Sequence, residues 1–161
     1  MQTATIRLIQ PQDDPQLAII IRQVLTDFGA NKPGTAFFDA GIDHMYRSFC
    51  TPSAAYWVLT QDEQVLGGAG IYPTPGLPAG CCELVKLYLL AAARGKGLGK
   101  QLLEQCCISA GEMGFTQLYL ETLPELYTAI PLYEKMGFVH LSAPLGQSGH
   151  YGCSVWMIKD L

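Results

Sequence analysis

Charge is scarce in this chain, and positive charge scarcer still. Charged residues make up 15% of the 161, with ten Lys and Arg against 14 Asp and Glu, a formal net charge of −4. The basic surface that would neutralise nucleic-acid phosphates is therefore missing, and no nucleic acid is expected as a partner. No apolar run reaches the length of a bilayer span, so no membrane is expected either. The opening MQTATIRLIQPQDD lacks a basic segment followed by an apolar one and does not read as a secretory signal. The six cysteines include two adjacent pairs and form no C-x-x-C, so no metal is expected. They read as small buried hydrophobes, reduced in a cytoplasmic protein. Internal repeats, low-complexity tracts and composition breaks are also absent. Residues 1–161 are read as one domain, with 49% apolar residues to build its core.

What is present is a regular alternation of elements. Residues 4–9 alternate loosely and predict a strand. Asp14-Pro15 reads as a cap and a first helical position, and Leu17, Ile20, Ile21, Val24, Leu25 and Phe28 recur at helical spacing up to Gly29. Residues 37–49 read as a second, shorter helix. Residues 55–60 and 65–72 flank a short polar turn and predict a hairpin. A Pro- and Gly-rich loop leads to a strand at 82–90. A helix follows from Leu98 to about Met113, then a strand at 117–122, a helix to about Met136, and closing strands at 139–142 and 154–158. The fold class expected is α/β, a mixed sheet with helices on both faces.

The most informative stretch is ELVKLYLLAAARGKGLGK, residues 83–100. A strand runs into a turn with Gly95, Gly97 and Gly99, and a helix opens at once. Glycines let backbone approach a ligand closely. Free N–H groups at a helix start, with the positive dipole end behind them, attract anions. Arg94, Lys96, Lys100 and nearby Lys86 place four of the ten basic residues in fifteen positions, while Glu83 is the sole acid between Glu63 and Glu104. A phosphate or pyrophosphate cradle is the expectation. The P-loop pattern fails twice, with Arg94 where its first glycine belongs and Gln101 where its Ser or Thr belongs. A dinucleotide fingerprint is missed by one place, and Glu121 stands about where a ribose-binding acid would. That reading stays open, although few residues remain for a doubly wound sheet.

Arg94-Gly95-Lys96-Gly97-Leu98-Gly99 also matches [RQ]-x-x-G-x-[GA], and a second block, AIPLYEKMGF at residues 129–138, matches A-x-x-L-Y-E-K-x-G-F. Together, in order, they resemble the GNAT superfamily of N-acetyltransferases. The resemblance covers most of the chain, with its sharp motifs between Glu83 and Phe138. It implies a mostly antiparallel sheet of six to seven strands with about four helices. It implies acetyl-coenzyme A as co-substrate and a small-molecule or peptide amine as acceptor, with direct attack in a ternary complex. By the same resemblance, Leu87, Tyr88 and Leu89 line a splayed, bulged strand for the pantetheine arm, and Arg94, Gly95, Lys96, Gly97, Leu98, Gly99 and Lys100 cradle the pyrophosphate. Tyr133 protonates the leaving thiolate, and Glu83 takes the amine's proton.

Two departures stand out. Leu126 replaces an asparagine that several members carry, removing a side-chain contact to the cofactor. Pro131 fits a helix only in its first turn, which makes Thr128 the expected cap. In strand alternation Glu83 shares a face with Val85, Leu87 and Leu89. No cysteine has a neighbour in sequence that would activate it, so no covalent intermediate is expected. His150 is a candidate to reach the acceptor from the last loop. The acceptor pocket is expected near residues 29–38 and 144–151. The family often dimerises, so a homodimer is admitted, but nothing in this sequence signals one. A non-catalytic module that binds a coenzyme A thioester is the alternative function.

Overall fold

A computed structural model describes residues 3–161. The elements, in chain order, are β1 (Thr5–Leu8), α1 (Asp14–Asp27), α2 (Met45–Ser48), β2 (Ala55–Gln61), β3 (Gln64–Tyr72), β4 (Cys81–Leu89), α3 (Leu98–Glu112), β5 (Gln117–Thr122), α4 (Ala129–Lys135), β6 (Val139–Leu141) and β7 (Val155–Asp160). The strands form one seven-stranded sheet in the order β1-β2-β3-β4-β5-β7-β6. Neighbours pair antiparallel except β4 with β5, which are parallel. A sheet with a single parallel pair is not the doubly wound sheet of a dinucleotide-binding fold. The expected mixed, mostly antiparallel α/β class is the one observed.

Each face of the sheet carries its own core. On one side the apolar stripe of α1 (Leu17, Ile20, Ile21, Val24, Leu25) packs with Met45, Phe49, Tyr56 and Val58. On the other, Leu102, Leu103, Cys106 and Ala110 of α3 pack with Leu118, Leu120, Phe138 and Met157. The spacing of apolar residues on α1 and α3 made both helices predictable. Thr128 does cap α4, so Pro131 falls in its first turn, where no intrahelical N–H is lost.

The helix expected over residues 37–49 does not form. Short 3-10 turns at Ala36–Phe38 and Ala40–Asp43 lead to the single turn of α2. Asp39 breaks the segment with an extended backbone, ψ 130°, and its carboxylate turns to partners elsewhere in the chain. The segment is tied down by the α2 N-terminus, where Tyr46 N–H donates to the Asp14 carboxylate at 2.8 Å.

β4 holds the decisive irregularity. Gly68 pairs with Tyr88 and Gly70 with Val85, so Lys86 and Leu87 bulge opposite Ala69. Lys86 carries the strain, with φ +51°. The extra residue reverses the alternation beyond it. Val85 and Tyr88 face the α1 core, whereas Leu87 and Leu89 face the α3 core. Glu83 therefore does not share a face with Leu87 and Leu89, contrary to simple alternation. Pairing with β5 stops at Glu83–Tyr119, which leaves the rest of β4 without a β5 partner.

The bulge has a brace. The Tyr56 ring lies across Gly68 and Gly70 and its hydroxyl donates to the Lys86 carbonyl at 2.8 Å. A Cβ on Gly68 would stand 2.5 Å from that ring and 2.6 Å from the Trp57 carbonyl oxygen. We expect Gly68→Ala to lower the melting temperature by roughly 3–10 °C, from about 1–3 kcal/mol of overpacking. An unchanged melt would mean that both the Tyr56 ring and the β2 backbone at Trp57 give way without cost.

Candidate active site

Three spaces that share wall residues run along β4. The first, about 360 Å³, lies between Leu87–Leu89 of β4, the turn before α3, and Leu126, Ala129, Leu132 and Tyr133 at α4. The second, about 320 Å³, is lined on one side by Asp39, Met45 and Phe49 and on the other by Thr74, Glu83, Lys86 and His150. Between them is a throat of about 50 Å³. It shares Leu87, Tyr88 and Tyr133 with the first space and Glu83, Val85, Lys86 and His150 with the second.

The glycine turn is built for close approach. Gly95 and Gly97 have φ +75° and +76°, and nothing stands within 4 Å of where their Cβ atoms would be. Gly97 caps α3 in the left-handed region, so the first N–H groups of the helix face open space. Of the residues expected here, Arg94, Gly95, Gly97, Leu98, Gly99 and Lys100 line the first space, as do Leu87, Tyr88, Leu89 and Tyr133. Lys96 is exposed and does not line it. Lys86 turns the other way, its ammonium 2.9 Å from Asp39 in the second space, so it adds no charge to the cradle. Arg94 donates from Nε and Nη2 to the Leu89 carbonyl at 3.1 and 2.9 Å and stacks 4.8 Å over Phe28. That fixes the turn to the end of β4 and to α1.

Tyr133 is 6% exposed and stands at the throat, its ring edge-on to Phe138 at 5.8 Å. Burial pushes its phenol well above the ordinary range, so it stays protonated. Glu83 is 3% exposed at the other end. Burial is the main force that raises its pKa to about 7. The 2.6 Å bond from Thr74 and the charges of His150 and Lys86 pull it down, and Glu121 pushes it up. Cys153 also lines the throat, but burial and then the nearby carboxylates raise its thiol to about 12. It is no thiolate nucleophile at neutral pH.

The polar groups around Glu83 come from distant parts of the chain. His150 Nε2 lies 2.9 Å from both oxygens of Asp39. Glu121 accepts from the Tyr119 hydroxyl at 2.6 Å and from the Ser148 hydroxyl. Polar atoms of Glu83, Glu121 and His150 lie within 4.8 Å of one another. Asp39, Thr74 and Cys153 were not legible as wall residues, nor were Val24 and Phe28 of α1. Of the two segments expected near the acceptor, residues 144–151 supply Gln147, Ser148 and His150 to the second space, whereas from residues 29–38 only Ala36 lines the throat and the facing wall comes from Asp39 to Phe49.

The acetyltransferase (GNAT) family model matches residues 21–138. An uncharacterised N-acetyltransferase of Escherichia coli K12, YjgM, is 43% identical over 162 residues, covering 99% of this chain and 96% of that protein. This chain belongs to the GNAT acetyltransferase family. It is thus an acyltransferase, and its fold has close counterparts. A GNAT acetyltransferase of Staphylococcus aureus Mu50 superposes with TM-score 0.87 at 16% identity, covering 99% of each chain. The PaiA N-acetyltransferase of Thermoplasma acidophilum, in complex with coenzyme A, superposes with TM-score 0.76 at 19% identity, again over 99% of each. In the acetyltransferase described here Leu126 gives the first space an apolar wall at this position. Among the described residues no helix is long and apolar enough to cross a membrane.

Proposed function

We propose that this acetyltransferase moves an acetyl group from acetyl-coenzyme A to a primary amine of a small molecule or peptide, by direct attack in a ternary complex, with residues 1–161 acting as one domain in the cytoplasm. The observation that carries this reading is the run of shared wall residues along the three spaces, with Tyr133 common to the first and the throat and Glu83 common to the throat and the second. Coenzyme A is carried over from the relative that holds it.

The pantetheine arm lies along the β4 edge that β5 leaves unpaired, at Leu87, Tyr88 and Leu89, as an added pseudo-strand. The pyrophosphate sits on the backbone of Gly95, Lys96, Gly97, Leu98 and Gly99, with the α3 dipole, Arg94 and Lys100 supplying positive charge. The thioester then reaches the throat, where a β4 N–H polarises its carbonyl. Glu83 takes a proton from the acceptor ammonium, the free amine attacks the carbonyl carbon, and the carbon–sulfur bond breaks. Tyr133 gives its proton to the departing thiolate, the second proton that the attacking nitrogen must lose restores the Tyr133 phenol, and Glu83 releases the first to solvent. Burial keeps the phenol protonated and so available as a donor, while weakening it as an acid toward a thiolate whose own acid ionises at about 8.5, so the transfer relies on close positioning.

The test is thiol release from acetyl-coenzyme A with a panel of primary amines, checked by mass for the acetyl amide. Turnover with at least one amine is expected. Binding of acetyl-coenzyme A without turnover on any amine would favour the non-catalytic module.

A further inference from the structure

We infer that Asp39 and Glu121 are opposed positioning residues for Glu83: Asp39 holds the cations Lys86 and His150 at its mouth, and Glu121 faces it from β5 as a counter-charge. The inference rests on Glu83 being the base.

Asp39 sits in the extended break between two 3-10 turns, Lys86 at the bulge of β4, and His150 in the loop before β7. They meet only because the fold closes, with Asp39 2.9 Å from each partner. All three side chains are mostly withdrawn from solvent, at 26%, 14% and 17% exposure. Burial works against the Asp39 carboxylate, yet the His150 bond and the Lys86 charge hold it below its usual range. Burial likewise works against charged His150, and the Asp39 bond outweighs it and raises its pKa. Asp39 thus favours the charged form of His150 beside Glu83.

Every element packed on Glu83 contributes. Thr74 bonds it from the β3–β4 loop. Glu121 and Tyr119 face it from β5, Lys86 and the Cys81 and Cys82 thiols from its own strand, and His150 and Cys153 from the last loop. Two cations favour its carboxylate and one anion opposes it. The sequence did not show this convergence, because Asp39, Glu121 and His150 lie far from Glu83 in the chain.

The test is the pH profile of kcat/KM for the acceptor, measured on the full chain with acetyl-coenzyme A saturating. Asp39→Asn and His150→Gln should move the acid limb to higher pH, and Glu121→Gln to lower pH, by about one unit each. The position of the limb is read within each variant's own profile, so a change in plateau height does not affect it, and an unaltered far-ultraviolet circular dichroism spectrum shows that the fold is intact. Glu83→Gln should abolish the limb. If Glu83→Gln retains the limb, the base assignment itself is wrong and the inference falls with it. If Glu83→Gln abolishes the limb but the other variants leave it unmoved, or move it in one common direction, the base stands and the positioning roles are overturned.

Discussion

Replacing Glu83 with Gln lowers kcat/KM for the amine by about 10²–10⁴-fold, the span that a positioned general base contributes. The same change makes the protein more stable at pH 8. The sign follows from the raised pKa, from an ordinary 4.5 to about 7. Between those values the folded chain binds more protons at Glu83 than the unfolded chain does. The stability this gives is fully present below about pH 4.5 and is lost as pH rises through about 7. Above that, an ionised carboxylate is held in a buried site at a cost of up to about 3 kcal/mol. Gln removes the charge and keeps an oxygen to accept from Thr74 at 2.6 Å in the native protein. A variant that is slower and melts higher at pH 8, with little difference near pH 4, is the expected pattern. A variant that melts lower at pH 8 would mean the carboxylate is stabilised, not strained, where it sits.

Tyr133→Phe lowers kcat by about 10²–10³-fold and leaves the KM for acetyl-coenzyme A nearly unchanged. The hydroxyl is asked for only when the thiolate leaves, so its loss acts on the chemical step rather than on binding. The ring keeps its edge-on contact with Phe138 at 5.8 Å and its place in the α3 core, so the fold should not suffer. Full turnover in this variant would take Tyr133 out of the mechanism. A large rise in KM with kcat unchanged would make it a binding residue.

The cradle was legible because it is local. Gly95, Gly97 and Gly99 follow one another before a helix, and their conformational freedom needs no partner to be recognised. The helical stripes of α1 and α3 were legible for the same reason. The bulge was not, because the residue that takes the left-handed conformation is Lys86, a type that gives no sign of it. The resemblance implied a bulged strand, but simple alternation takes no account of one, so Glu83 was placed on the wrong face relative to Leu87 and Leu89. The segment at residues 37–49 has helical apolar spacing, but Asp39 is more strongly satisfied by Lys86 and His150 than by a helical turn. A long-range ion pair won over a local preference. The throat was out of reach of sequence for a similar reason: Glu83, Glu121 and His150 converge only when β5 and the final loop pack onto β4.

The α1 contribution shows how a helix with an evident packing role also serves a cavity. Val24 and Phe28 lie on the wall of the first space, and Phe28 carries the Arg94 guanidinium. Their apolar character had one sufficient explanation in the core, so nothing in the sequence asked for a second.

The most direct test is the thermal melt of the protein alone and with excess acetyl-coenzyme A, coenzyme A, NAD or ATP. A ligand at a hundred times its dissociation constant adds about 2.7 kcal/mol, which for a domain of this size is a rise of roughly 5–10 °C. The account predicts that rise with acetyl-coenzyme A and with coenzyme A, and none with NAD or ATP. A rise with NAD and none with coenzyme A would contradict it.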